Sequence, residues 1–332
     1  MNVKTLGIDI AKNVFQIAGM DEKGKIILVK RLSRQKLMDF VGNFPPCVIG
    51  IEACGGSQFL ARKFKEFGHD VKLMSPEFVK PYVKGGNKND VNDAQAICEA
   101  VTRPTMRFVS SKSIEQQDLQ SLHRIRERLV EEKVGLVNQI RGLLLEYGIV
   151  IPQGIQFISK KLPEIIDNTH QGLTSLGKRF FQELYEQFLD MTDKIKKFDR
   201  MIQEICHQSA LCQELIKIEG IGPLTATALV ASIADARAFK NGRQLSAYLG
   251  LVPRQHSSGN KHLLLGISKR GDKYLRKLLI HGARSVISNS KKLSDWITSL
   301  IQRRGKHKAY TALANKNARR IWAVMVYGTQ GN

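Results

Sequence analysis

Acidic residues, cysteines and long apolar runs are what this sequence has little of. Only 30 Asp and Glu stand against 52 Lys and Arg. The cysteines (Cys47, Cys54, Cys98, Cys206 and Cys212) are odd in number and irregularly spaced. That excludes zinc-type CxxC pairing and a disulfide framework, and reduced thiols in a cytoplasm are expected. No stretch approaches the ~20 apolar residues of a membrane span. The first residues lead straight into a strand-like run, so no signal peptide is expected. There is also no internal repeat and no long low-complexity segment.

What is present is a globular chain with a strong positive charge. Its 332 residues suggest two or three domains, and 42% hydrophobic residues supply real cores. A formal net charge of +22 argues for a polyanionic partner, without choosing between DNA, RNA and an anionic membrane. Residues 251–332 hold 17 Lys and Arg and only 2 acids, Asp272 and Asp295. The N-terminal third is more balanced and carries carboxylates near apolar runs. The split suits catalysis in front and phosphate gripping behind; the alternative is a solvated basic face.

The first hundred residues read as α/β. Strands are expected at Val3–Ile10, Val14–Met20, Ile26–Val29, Cys47–Glu52 and Val71–Met74. Helices are expected at Ser33–Val41, Ser57–Phe67 and Asp90–Val101. This order, three strands followed by crossovers, is that of an RNase H-like fold. A helical texture begins near Ser113. Leu122, Leu129, Leu136 and Leu143 recur every seven residues. Phe181, Leu184, Phe188, Met191, Ile195, Phe198, Ile202 and Ile205 follow the 3-4 spacing of a coiled-coil seam. A long helical hairpin is expected, with an irregular connection around residues 160–168. The seam serves either oligomerisation or an intramolecular antiparallel pair. From about Leu211 the chain reads as compact and helical. The expected domains are therefore 1–112, 113–210 and 211–332.

Four acids are placed for metal. Asp9 and Glu52 stand at the carboxyl ends of apolar strands, where an isolated charge is costly to desolvate. Asp90 and Asp93 share one helix face by their i, i+3 spacing. Four convergent carboxylates repel one another unless a cation lies between them, and oxygen ligands suit Mg²⁺ or Mn²⁺. Two such ions can clamp both oxygens of a phosphodiester displacement. Each acid alone has a bland reading as a cap or turn former, and Asp90 could cap its own helix.

Ile218-Glu219-Gly220-Ile221-Gly222-Pro223 reads as the turn of a helix-hairpin-helix, with Gly220 and Gly222 letting backbone N–H groups approach a phosphate. The alternative is a structural turn with Pro223 opening a helix. The loop Leu249–Lys261 then combines hydroxyls, glycine and the cations Arg254 and Lys261, with His256 two residues from Ser258. Such a serine can attack phosphorus if its proton is removed, although Ser-Ser-Gly-Asn is also ordinary turn chemistry. Lys269, Arg270, Lys273, Arg276 and Lys277 are expected to contact nucleic acid.

Gly7-Ile8-Asp9-Ile10-Ala11-Lys12-Asn13-Val14-Phe15, Glu52-Ala53-Cys54-Gly55-Gly56, Lys88-Asn89-Asp90-Val91-Asn92-Asp93-Ala94 and Ser257-Ser258-Gly259 together resemble the IS110 family of insertion-sequence transposases. The resemblance runs nearly end to end. It implies a RuvC-like domain named DEDD for its acids, here Asp9, Glu52, Asp90 and Asp93, with Ser258 aligned to the family's catalytic serine. It further implies recombination directed by a bridge RNA, a transient 5′-phosphoserine link and a dimer-of-dimers synapse in which the serine of one protomer meets the acids of another. Asn89 stands where many members have Thr, which points to a subgroup. The function expected is thus an RNA-guided DNA recombinase. Its rivals are a Holliday-junction-type nuclease in which water attacks, and a non-catalytic basic DNA binder.

Overall fold

The computed structural model describes residues 2–83, 89–168, 172–258 and 261–328; the side chains of residues 258, 261 and 262 lie outside that description. Two compact units divide the chain, residues 1–113 and 114–332.

The first unit is built on a mixed sheet. Its strands are β1 (Thr5–Ile10), β2 (Val14–Met20), β3 (Ile26–Ser33), β4 (Val48–Glu52), β5 (Asp70–Met74) and β6 (Phe108–Val109), in the order β3-β2-β1-β4-β5-β6. β1–β2 and β2–β3 are antiparallel, β1–β4 and β4–β5 are parallel, and β6 returns antiparallel to β5. The last strand is two residues long and was not foreseen; a run that short leaves no periodicity to read.

Alternation along β1 and β4 divides the layers. Leu6, Ile8, Ile49 and Ile51 are fully buried against α1 (Arg34–Gly42) and α2 (Ser57–Glu66), through Leu37, Val41, Leu60 and Phe64. The other face carries α4 (Asp90–Val101), whose Ala94, Ile97, Cys98 and Val101 are buried against the sheet. A short α3 (Pro76–Val79) follows β5. The buried Cys98 thiol donates to the carbonyls of Ala18 and Thr5 at 3.3 and 3.5 Å, pinning α4 to the strands.

In the second unit, α5 (Ile114–Leu145) and α7 (Ser175–Gln208) pair antiparallel. Leu136, Val137, Ile140 and Leu144 of α5 share a cluster with Phe181 and Phe188, near the start of α7. Leu119 and Leu122, near the start of α5, share one with Ile202, near the end of α7. Most of the seam is thus covered within the chain. Leu143, expected in the heptad line, is 37% exposed while Leu144 is buried. A straight helix drifts about 20° per heptad, and the strict repeat loses the face.

The expected irregular connection is replaced by α6 (Ile155–Asp167), with Ile158, Leu162, Ile165 and Ile166 buried against the pair. Pro163 lies inside this helix. Its missing N–H deprives the Ser159 carbonyl of an intrahelical donor; the Tyr185 hydroxyl donates there instead, at 3.4 Å. The segment after residue 210 holds α8 (Ala210–Ile216), α9 (Pro223–Ser232), α10 (Gly242–Tyr248), α11 (Lys273–Asn289), α12 (Asp295–Arg304) and α13 (Lys306–Tyr327). It is not purely helical. β7 (Pro253–Ser258) and β8 (Lys261–Ile267) form a two-stranded antiparallel hairpin where a flexible loop was expected. The flanking runs pair as strands, and Gly259-Asn260 between them is turn-type sequence.

Candidate metal centre and nucleic-acid face

The acids meet because of strand register and one close helix. β1 and β4 pair in parallel from Thr5↔Val48 to Ile8↔Ile51. One step further stand Asp9 and Glu52. On the sheet face that carries α4, the helix brings its first turn over these strand ends. Asn89 caps α4, its side chain accepting from the Val91 N–H at 3.0 Å, so capping falls to Asn89 and not to Asp90. Asp90 and Asp93 remain in the first turn.

Carboxylate oxygens of Asp9, Asp90 and Asp93 lie within 4.8 Å of one another. Glu52 stands outside that radius, yet it senses the group. Partial burial, then the charges of Asp9 and Asp93, raises its carboxyl above the ordinary value. Cys54 was passed over in the sequence; partial burial and the charges of Glu52 and Asp9 raise its thiol as well. The donor set is all oxygen, partly exposed and electrostatically frustrated, which fits a hard divalent cation. Lys88 of the same motif lies outside the described residues.

The expected nucleic-acid contacts divide by environment. Arg254, Lys269, Arg270 and Lys273 are exposed. Ser258 ends β7, paired in the ladder with Lys261. Ser257 Oγ accepts from Gln255 Nε2 at 2.8 Å. Lys277 is paired with Glu127 and lies over the Tyr274 ring. Arg276 requires a correction: it is 8% exposed, and its guanidinium donates to the carbonyls of Arg270 at 2.7 Å and Leu249 at 3.2 Å. It ties together the two ends of the segment that carries the hairpin and is not a surface cation. Gly220, at φ +84°, is also engaged inside the fold, since a Cβ there would lie 2.9 Å from the Gly282 carbonyl oxygen of α11. Its missing side chain serves helix packing. Gly222 and Pro223, by contrast, are exposed at the start of α9, with nothing near a Cβ at Gly222.

Comparison with known proteins identifies the family. A profile for DEDD transposases of the IS110 type matches residues 6–149, and one described as Transposase IS116/IS110/IS902 family matches residues 212–297. The transposase for insertion sequence element IS1111A from Coxiella burnetii is 47% identical over 328 residues, covering 98% of this chain and 90% of that protein.

The chain belongs to the IS110/IS116/IS902 transposase family.

Other relatives of this transposase include that of element IS1328 from Yersinia enterocolitica, 40% identical with 99% and 98% of the two chains covered. The pilin gene-inverting protein of Moraxella bovis is 23% identical, with 95% and 92% covered. The protein is therefore an insertion-sequence transposase, an enzyme that cleaves and transfers DNA strands, and its DEDD domain implies dependence on a divalent metal. Among the described residues no helix is long and apolar enough to cross a membrane.

Proposed function

We propose that this transposase is a bridge-RNA-guided recombinase using a serine nucleophile. Residues 1–112 form a RuvC-like catalytic domain, 113–210 the helices through which protomers assemble as a dimer or tetramer, and 211–332 a DNA-binding domain with a helix-hairpin-helix and the serine. Asp9, Glu52, Asp90 and Asp93 hold Mg²⁺ or Mn²⁺. The bound cations supply Lewis acidity at the scissile phosphate.

Ser258 Oγ forms a bond to phosphorus, and the bond to the 3′ oxygen breaks. The serine proton passes to a base, and the departing 3′ oxygen gains a proton and leaves as a hydroxyl. A 5′-phosphoserine link results, and attack by another 3′-hydroxyl reverses the step and joins a new strand. Arg254 and Lys261 offset phosphate charge, and Gly222 with Lys269, Arg270 and Lys273 holds the backbone. The gene-inverting activity in the name of the Moraxella relative supports conservative recombination.

The observation that carries the reading is the meeting of Asp9, Asp90 and Asp93 in a DEDD-family chain. The test is adduct trapping. Ser258→Ala is expected to abolish recombination and the covalent protein–DNA adduct while DNA binding persists; Ser257→Ala is expected to be far milder. Mass spectrometry of digested adducts should place DNA on Ser258. Robust recombination by Ser258→Ala would replace this mechanism with water attack.

A further inference from the structure

The two strands that deliver Asp9 and Glu52 carry the same tripeptide pattern, Gly7-Ile8-Asp9 and Gly50-Ile51-Glu52. The two glycines are register partners in the parallel β1–β4 pair. Glycine weakens a strand interior and in such a place marks a turn, a bulge or the close approach of another backbone. Neither residue has a positive φ, and both lie within an unbroken run of the ladder. Close approach remains. A Cβ on Gly7 would stand 2.3 Å from the Ala94 carbonyl oxygen and 2.5 Å from the Cys98 nitrogen. A Cβ on Gly50 would stand 2.9 Å from Val101 Cβ and 3.2 Å from Ile97 Cγ2. The two strands therefore seat successive turns of α4 directly on the sheet.

Side chains two apart along a strand share a face. Gly7 and Asp9 are on one face of β1, and Gly50 and Glu52 on one face of β4. Ile8 and Ile51, between them, are fully buried in the opposite layer. Along α4, Asp93 directly precedes Ala94, the residue whose carbonyl rests on Gly7, and Asp90 lies one turn earlier. The height of the helix over the glycines is thus mechanically tied to the gap between helix acids and strand acids. We propose that Gly7 and Gly50 are a matched pair of positioning residues that set this height, and through it the carboxylate spacing and the cation the site accepts.

The proposal rests on the reading of the four acids as metal ligands. An added methyl at Gly7 requires α4 to rise on the order of 1 Å to restore ordinary contact. Mg²⁺ tolerates such a change poorly, because it demands near-octahedral geometry at ~2.0–2.1 Å, whereas Ca²⁺ accepts irregular coordination; Mn²⁺, which also takes octahedral oxygen sites, is its paramagnetic stand-in.

The test measures metal binding by the full-length protein, using Mn²⁺ titration followed by electron paramagnetic resonance, with Ca²⁺ as competitor. Gly50→Ala meets side chains and not backbone, so it is the working variant. It is expected to weaken Mn²⁺ binding about tenfold or more, the size seen when outer-shell supports of metal ligands are removed, with a smaller loss for Ca²⁺. Far-UV circular dichroism and a cooperative melt in EDTA should match the parent. Val101→Gly removes the atoms nearest the new methyl, so Gly50→Ala/Val101→Gly is expected to recover Mn²⁺ affinity. Gly42→Ala, where a Cβ meets nothing closer than 3.7 Å, should bind as the parent does. If Gly50→Ala does not fold, Val101→Ile inserts bulk from the helix side and must lower Mn²⁺ affinity in the same direction. Asp9→Asn serves as the reference for the site itself. Loss of Mn²⁺ binding in Asp9→Asn with parental binding in folded Gly50→Ala overturns the glycine proposal alone, as does failure of the double variant to recover. Parental Mn²⁺ binding in Asp9→Asn overturns the metal reading and the proposal with it.

Discussion

His123 shows how much one residue can hold. It is 3% exposed on α5, with Nδ1 3.0 Å from the Tyr274 hydroxyl on α11 and Nε2 3.0 Å from Thr227 Oγ1 on α9. Burial, then the charge of Arg126, lowers its pKa from 6.5 to about 4. The folded state therefore holds it neutral, and the unfolded chain binds its proton more readily. Its contribution is fully present above pH 6.5 and is lost as pH falls toward 4, amounting to about 3 kcal/mol. Urea melts at pH 7 and pH 5 are expected to show a larger acid loss in the parent than in His123→Gln. Equal losses would place the acid sensitivity elsewhere. Arg276 is the second such residue. Arg276→Ala leaves the Leu249 and Arg270 carbonyls without their donor and should cost about 1–3 kcal/mol, read as a fall in Tm.

At the scale of elements, the long helices owe their stability to one another. Phe181 and Phe188 of α7 are buried against α5 and α6, and Phe188→Ala is expected to destabilise the second unit by about 3–5 kcal/mol. Charge placed at Phe198, which packs against the Leu119, Leu122 and Ile202 cluster, should lower the melting temperature before it alters assembly. A Phe198→Asp protein that melts like the parent but sediments as a smaller species would return the seam to an oligomer contact. The hairpin β7–β8 is the opposite case. Its Leu263, Leu264 and Leu265 are 58, 66 and 40% exposed, and it is held at its root. There the Ser268 N–H donates to the Val252 carbonyl at 2.8 Å, and Arg276 bridges the carbonyls of Leu249 and Arg270.

For the whole molecule, the net charge of +22 sets how this transposase meets DNA. Log affinity should fall linearly with log salt, each neutralised phosphate contributing about 0.9 to the slope. Lys269→Ala, Arg270→Ala and Lys273→Ala, all at exposed positions, should each reduce the slope by about one contact. Arg276→Gln should leave it unchanged, because that guanidinium is spent on carbonyls inside the protein. A slope that drops with Arg276 and not with the exposed three would reverse the assignment.

The sequence alone determined the order of the five longer strands with α1, α2 and α4 in the first unit, and it singled out Asp9, Asp90 and Asp93, which the fold brings together. Period-2 and period-3.6 patterns are local, and a charge at the end of an apolar strand is conspicuous wherever the chain goes. It also determined the excess charge, which is a property of composition. Tertiary structure decided whatever depends on partners distant in the chain. The α6 helix forms across Pro163 because its apolar stripe finds α5 and α7, a gain no local propensity contains. Arg276 and Lys273 are indistinguishable as letters; one faces two carbonyls and the other faces water. Gly220 and Gly222 read alike as turn glycines; only the fold shows that Gly282, far along the chain, packs against the first and that nothing lies near a Cβ at the second. Gly7 and Gly50 stood in plain sight, but their meaning required the register of β1 with β4 and a helix laid across both. Contact between remote segments is the free-energy term that a one-dimensional pattern cannot carry, and here it fixes which side chains are free to act.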